Sequence, residues 1–231
     1  MKILVINAGS SSIKYQLMEL EDVHHSTLLA AGLVEKIGEP TGRIIHRKYA
    51  GGPESKFVEE EHLPTHHEGM SRVVALLTDP DKGVIRNASE VQGVGHRVLN
   101  CGEVYSDTVR VDAKVKDTIR DFFLLGPLHN PPNLMGIEVA EEFFPHAPQV
   151  AVFDTAFHQT MPPKAFLYAV PYEWYTKFRL RKYGFHGTSH KFIAQETAEY
   201  LGKPLDQTSL ISLHLGNGCS MAAIRNGKCA D

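Results

Sequence analysis

A turn that grips phosphate needs small side chains, hydroxyls or backbone N–H groups to point at the oxygens, and a nearby cation. The stretch Asn7-Ala8-Gly9-Ser10-Ser11-Ser12-Ile13-Lys14 offers these together. Residues 2–6 and 13–20 are β-rich, so the stretch reads as a tight turn between two strands. Its hydroxyls and backbone N–H groups would then point at phosphate with Lys14 as a nearby charge, and Asn7 would reach a metal ion or the same phosphate. A serine-rich hairpin with no ligand accounts for the same residues. A second copy favours the ligand: aligning Asn7 with His214 places Gly9 on Gly216, Ser10 on Asn217 and Ser11 on Gly218. Two such hairpins about two hundred residues apart are what a duplicated domain leaves, each gripping one end of a nucleotide. Strands and helices follow the first copy and almost nothing follows the second. The expectation is a first domain over 1–152 and a second, begun but incomplete, over 153–231.

Four other features bear chemistry. Arg97 ends a buried apolar strand, where a permanent cation either pairs with a carboxylate or meets an anionic ligand. Asp154 stands where a strand exits, suited to Mg²⁺ through water or to a turn or cap. His186 and His190 have zinc-ligand spacing, yet His186 precedes the helix cap and no third ligand is evident. The loop Leu128-His129-Asn130-Pro131-Pro132-Asn133 is the fourth. His62, His66 and His67 lie in a polar stretch and read as solvated surface. The Walker-type phosphate loop is absent, and Gly93-Val94-Gly95 lacks the later glycine of a dinucleotide fingerprint.

The elements that must position these groups alternate. Strands at 2–6 and 13–20 lead to strands at 26–37 and 43–49 around the turn Gly38-Glu39-Pro40-Thr41-Gly42, then a polar stretch at 51–67. A helix carrying Val73, Leu76 and Leu77 on one face ends near Asp79-Pro80. A strand at 91–99, a helix capped by Asp112, a loop at 126–133, a helix with Met135, Val139 and Phe143 on one face, and a strand at 149–153 follow. This predicts a mixed α/β sheet flanked by helices, with ligands near the carboxyl ends of strands. From about 155 the chain is richer in proline and aromatic residues, until a helix capped by Thr188 or Ser189 with Ala194, Ala198 and Leu201 on one face.

Composition sets the bounds. The 231 residues are 42% hydrophobic and 22% charged, and the net charge of −3 gives no field for nucleic acid or acidic membranes. Three cysteines without metal-type pairing suit reduced thiols, and no stretch approaches a membrane span, so the expectation is a cytoplasmic protein with no membrane partner.

Asn7 to Lys14, Gly95-His96-Arg97, His129-Asn130-Pro131-Pro132-Asn133, Phe153-Asp154-Thr155-Ala156-Phe157-His158, Gly184-Phe185-His186-Gly187-Thr188-Ser189-His190 and His214-Leu215-Gly216-Asn217-Gly218 together resemble the acetate kinase family, in the family's order and along the whole chain. The resemblance implies an actin-like, ribonuclease H-like duplicated α/β fold and reversible phosphoryl transfer from ATP to acetate, with Mg²⁺ or Mn²⁺. It implies that Arg97 holds the carboxylate and the phosphoryl group, that His186 donates to an equatorial oxygen, and that Asp154 and Asn7 position the metal. Ser10, Ser12 and Lys14 would line the phosphate path, and His214, Gly216, Asn217 and Gly218 would cradle ATP. Leu99, Leu128 and Phe185 would form the acyl pocket, with Leu99 two residues from Arg97 and so on its side of an extended strand; leucine there predicts acetate over propionate. Two departures stand out. Asn100-Cys101-Gly102 replaces the usual His-Gly-Gly, which predicts strain if Cys101 needs a positive φ. The family also continues past residue 231, supplying an arginine, a glutamate, the adenosine pocket and most of a homodimer interface. The alternatives are therefore a non-catalytic fragment that binds phosphate or carboxylate weakly, a propionate kinase, or a kinase using pyrophosphate.

Overall fold

Leu4, Ile6 and Ala8 point one way along the first strand and Val5 and Asn7 the other, the period of two of a strand with one covered face. The computed structural model of the chain describes residues 1–22, 25–216 and 218–231. In it, β1 (Lys2–Gly9), β2 (Ser12–Leu20), β3 (Ser26–Glu35), β4 (Gly42–Lys48) and β5 (Ser55–Glu61) form an antiparallel meander. The other edge of β1 takes β6 (Gly93–Val98) in parallel. With β7 (Val109–Arg110) and β8 (Gln149–Phe153) the order is β5-β4-β3-β2-β1-β6-β8-β7.

The chain divides into two compact units: Met1–Val98 with Val109–Ala151, and Leu99–Thr108 with Val152–Asp231. The excursion Leu99–Thr108 belongs with the second unit.

In the first unit, α1 (His66–Thr78), α2 (Ala113–Asp121) and α3 (Asn130–Phe143) accompany the sheet. Met70, Val73 and Leu77 of α1 and Val139 and Ala140 of α3 share a core with Leu4, Ile6, Ile13 and Val34. Each buried Val, Leu, Ile or Met among them contributes about 1.5–3 kcal/mol. Gly136 lets α3 close on β1: a Cβ there would stand 2.5 Å from that of Ala8. Asp112 caps α2, accepting from the Val115 N–H at 2.8 Å.

Three expectations fail here. The polar stretch contains strand β5, whose Lys56, Val58 and Glu60 face solvent; charge on an edge strand blunts further pairing and hides the strand from a hydrophobicity reading. The loop at 126–133 ends early, because Asn130-Pro131-Pro132-Asn133 is the first turn of α3, where proline needs no hydrogen bond. Met135 is exposed, and Leu134, Ile137 and Ala140 cover the core instead.

In the second unit, α4 (Pro163–Phe166), α5 (Tyr172–Phe178) and α6 (Gly187–Tyr200) precede a sheet of β9 (Leu210–Leu215), β10 (Cys219–Arg225) and β11 (Lys228–Cys229), ordered β11-β10-β9. Ala194 of α6 shares a small core with Met161, Ala222, Ile224 and Cys229. Leu201, expected on the buried face of α6, is exposed. The excursion is anchored by Arg181, buried against the Phe166 ring (3.6 Å to its centroid) and paired with Glu103, which also accepts from the Tyr175 hydroxyl at 3.0 Å.

Candidate active site

The first unit gathers one half of the candidate residues. Asn7 lies opposite Lys14 across β1 and β2, and the strands stay paired to Gly9 and Ser12, leaving Ser10 and Ser11 as the turn. On the other side of β1, Ile6 is in register with His96, so the next step along both parallel strands brings Asn7 and Arg97 side by side. Lys14, Asn7 and Arg97 thus form a row across three strands, on the face away from Ala8 and the core. A groove of about 420 Å³ runs along this face, lined by Asn7, Lys14, Gln16, Leu33 and Arg47.

This turn is held from behind. His66 Nε2 donates to the Gly9 carbonyl at 2.7 Å, and Asn133 Nδ2 donates to the Ala8 carbonyl at 2.7 Å. His66 is buried, which overturns its reading as solvated surface; its partner is a backbone atom 57 residues away, so no spacing could announce it. Asn130 Nδ2 donates to the Ile119 carbonyl at 3.2 Å, so both asparagines of the proline motif serve backbone. His96 is likewise structural: its Nε2 donates to Gln149 Oε1 at 2.7 Å, and burial pushes its pKa down to about 4. Leu128 is 74% exposed.

The second unit gathers the other half. Asp154, buried at the end of β8, accepts through its carbonyl from the Gly187 N–H at 3.0 Å, and its Oδ2 faces the His186 N–H at 3.4 Å. His186 itself is the N-cap of α6, in the left-handed region at φ 56°, which moves the cap from Thr188 or Ser189. Its ring stacks on His214 with centroids 4.2 Å apart, and His214 Nδ1 shares a hydrogen bond with Ser189 Oγ at 3.0 Å. His190 reaches both strands of the second hairpin from one face, its Nδ1 2.9 Å from Ser212 Oγ and its Nε2 3.0 Å from Ser220 Oγ. Burial pushes the His190 pKa down to about 4, and among the described residues no group of three His, Cys, Asp or Glu could hold a metal.

Gly216 and Gly218 shape the second turn through a Gly216 N–H to Gly218 carbonyl bond of 2.9 Å; Asn217 lies outside the described residues. Leu99 is buried just beyond the end of β6, so the strand alternation that linked it to Arg97 stops short of it. Phe185 is 42% exposed. Cys101 has no positive φ; Gly102 does, at 61°, so the altered turn keeps its glycine where the backbone needs one.

The sequence model of the Acetokinase family matches residues 2–231. The chain belongs to the acetokinase family. It is 56% identical over 232 residues to an acetate kinase of Oleidesulfovibrio alaskensis, covering all of this chain and 57% of that protein. Its fold superposes on the crystal structure of Porphyromonas gingivalis acetate kinase with a TM-score of 0.92 at 41% identity, and on that of a propionate kinase from Francisella tularensis with 0.88 at 37%. Each match covers all of this chain and 56% of the solved one, so the chain spans a little over half the length of these relatives. The mixed α/β fold is that of the acetokinase structures, and the family is one of phosphotransferases. No helix among the described residues is long and apolar enough to cross a membrane.

The family's Gly-Phe-His-Gly motif has a steric reading here. A Cβ on Gly184, at φ 77°, would stand 2.5 Å from His158 Cγ, and one on Gly187 would overlap the Asp154 carbonyl. Both glycines admit a neighbour to the backbone around His186. Sequence reasoning passed over His158, although it lies inside a motif that it quoted, and took Ser189 only for a helix cap.

Proposed function

We propose that this chain carries part of the active site of an acetate kinase, moving the γ-phosphoryl group of ATP to acetate and back. The observation that supports it best is the row Lys14, Asn7 and Arg97 beside a serine turn at the carboxyl ends of β1 and β6. Two permanent cations there suit an acceptor that is an anion and a group that is more so. A loose, metaphosphate-like transition state asks for neutralised equatorial oxygens and aligned donor and acceptor, with little covalent work for the protein. Arg97 offers a planar fork to the carboxylate and to the transferring group. Lys14, Ser10 and Ser12 line the phosphate path, and acetate, already ionised, needs no general base. In the second unit, His186 supplies a donor to an equatorial oxygen, while His214 and the backbone of Gly216 and Gly218 face the nucleotide phosphates.

Asp154, a buried carboxylate that belongs to no group of three His, Cys, Asp or Glu among the described residues, suits Mg²⁺, which keeps waters and phosphate oxygens among its ligands. Asp154 would help to position that ion, which when bound would neutralise phosphate charge. Leu99 and Phe185, both in the second unit, would bound the methyl group. Similarity to a propionate kinase keeps propionate as the alternative acceptor, since one methylene is worth about 1–3 kcal/mol.

Acyl phosphate trapped as hydroxamate tests the reading, with the remaining C-terminal length of a relative supplied in trans. Arg97→Ala should reduce turnover by at least about 10²-fold; near-normal kcat would remove Arg97 from the mechanism. A second reading, that these 231 residues alone bind anions without turning over, draws on the exposed row Ile211, Leu213, Leu215 and Met221. Activity of the chain alone would end it.

A further inference from the structure

His186 adopts a left-handed backbone conformation that a residue with a Cβ keeps only when its surroundings impose it. The imposing groups can be identified. The carbonyl of Phe185, which opens the Phe185–His186 peptide, takes two donors: His158 Nε2–H at 3.0 Å and the Ser220 hydroxyl at 3.4 Å. A carbonyl only accepts, so His158 must carry its proton on Nε2. Its Nδ1 is then an acceptor, and the buried Cys229 thiol, 3.0 Å away, supplies the proton. Ser220 in turn is held by His190. On the other side of His186, the Gly187 N–H is fixed by the Asp154 carbonyl at 3.0 Å. Gly184 gives His158 room to press against the chain, and the His158 ring meets His190 edge-on at 5.7 Å.

We propose that His158 is a positioning residue: its Nε2–H on the Phe185 carbonyl, backed by Ser220 and fixed in tautomer by Cys229, holds His186 left-handed and so aims its imidazole. Nothing in the phosphoryl-transfer roles assigns His158, Ser220 or Cys229. The inference rests on the reading of His186 as a donor to the phosphoryl group, and its test separates the two.

The first measurement is imidazole ¹⁵N NMR of His158 in the unsubstituted protein. The Nε2–H tautomer is expected, and the Nδ1–H tautomer would overturn the proposal without any variant having to fold. The second is the N–H to Hα coupling of His186 in His158→Leu and His158→Gln. Leucine should move the coupling out of the left-handed range, and glutamine, whose amide N–H reaches the same carbonyl, should restore it. An unchanged coupling in a folded His158→Leu protein would also overturn the proposal. In the active, full-length enzyme kcat should fall about 10²-fold in His158→Leu with KM for acetate held, and recover in His158→Gln. If the coupling moves while kcat holds, the positioning stands and the phosphoryl role of His186 falls.

Discussion

The two glycine-bearing hairpins align in sequence yet are supported differently. The β1–β2 hairpin stays paired to its last residues and turns through Ser10 and Ser11, while the pairing of β9 with β10 ends at Leu215 and Cys219. The first stands inside an eight-stranded sheet, and side chains from α1 and α3 bond the carbonyls of Ala8 and Gly9. The second belongs to three strands, braced on one face by His190 and open on the other, where Ile211, Leu215 and Met221 are 73%, 70% and 68% exposed. A shared motif thus specifies a turn and not its rigidity. Rigidity comes from side chains far away in sequence, and those are where the two hairpins should respond differently to change.

Acid should weaken both units and give the largest effect. His46 and His96 in the first unit and His158 and His190 in the second all have pKa values lowered mainly by burial, to about 4 for His96 and His190. A base whose folded pKa lies below its unfolded value gives stability that is complete above pH 6.5 and lost as pH falls toward the folded value. Between those limits His96 and His190 each cost about 1.4 kcal/mol per pH unit, and His46 and His158 add in the same direction. The urea midpoint should therefore drop by several kcal/mol in equivalent stability from pH 7.5 to 5; a flat midpoint would contradict neutral, buried rings. Next in size, Gly136→Val would drive α3 off β1 and should destabilise by about 3 kcal/mol, as overpacking does, with the loss confined to the first unit in hydrogen exchange. Asn133→Ala leaves the Ala8 carbonyl without its donor and should cost about 1–3 kcal/mol, read as a lower denaturation midpoint. If Ser212→Ala in the second hairpin costs more than Asn133→Ala, the ranking of the two braces is reversed. Smallest of all, Met221→Gln on the open face should change the chain's stability by less than about 0.5 kcal/mol while lowering its self-association in sedimentation.

Much of the frame was legible because it is local. Strand β8 follows from an apolar run of fixed length, and the start of α2 follows from an aspartate placed three residues before an apolar period. What stayed hidden was of three physical kinds. Strand β5 is an edge, so its charged residues serve against further pairing and read as loop. The first turn of α3 contains two prolines, which suit a helix start as well as a loop, and α6 is capped by the left-handed His186 where a hydroxyl was expected. The supports of the site, His66, Asn133 and His158, bond backbone carbonyls whose position depends on the fold, so residue type and spacing carry no trace of them. Of the candidate site, the hairpin residues and the His186–His214 pair were nameable from motifs. Their stacking was not.

The excursion Leu99–Thr108 leaves and rejoins the first unit, so the second unit is discontinuous in the chain. A cut at 151/152 would therefore not release a heritable, self-sufficient module. Residues 152–231 made alone would keep Arg181 in its apolar seat against Phe166 but without the carboxylate of Glu103, and would leave Gln159 without the Gly102 carbonyl it bonds. Recombination that swaps the second half of such a protein must bring this ten-residue segment with it or find a substitute for one buried charge. The segment ties the descent of the two halves together, whatever chemistry passes between them.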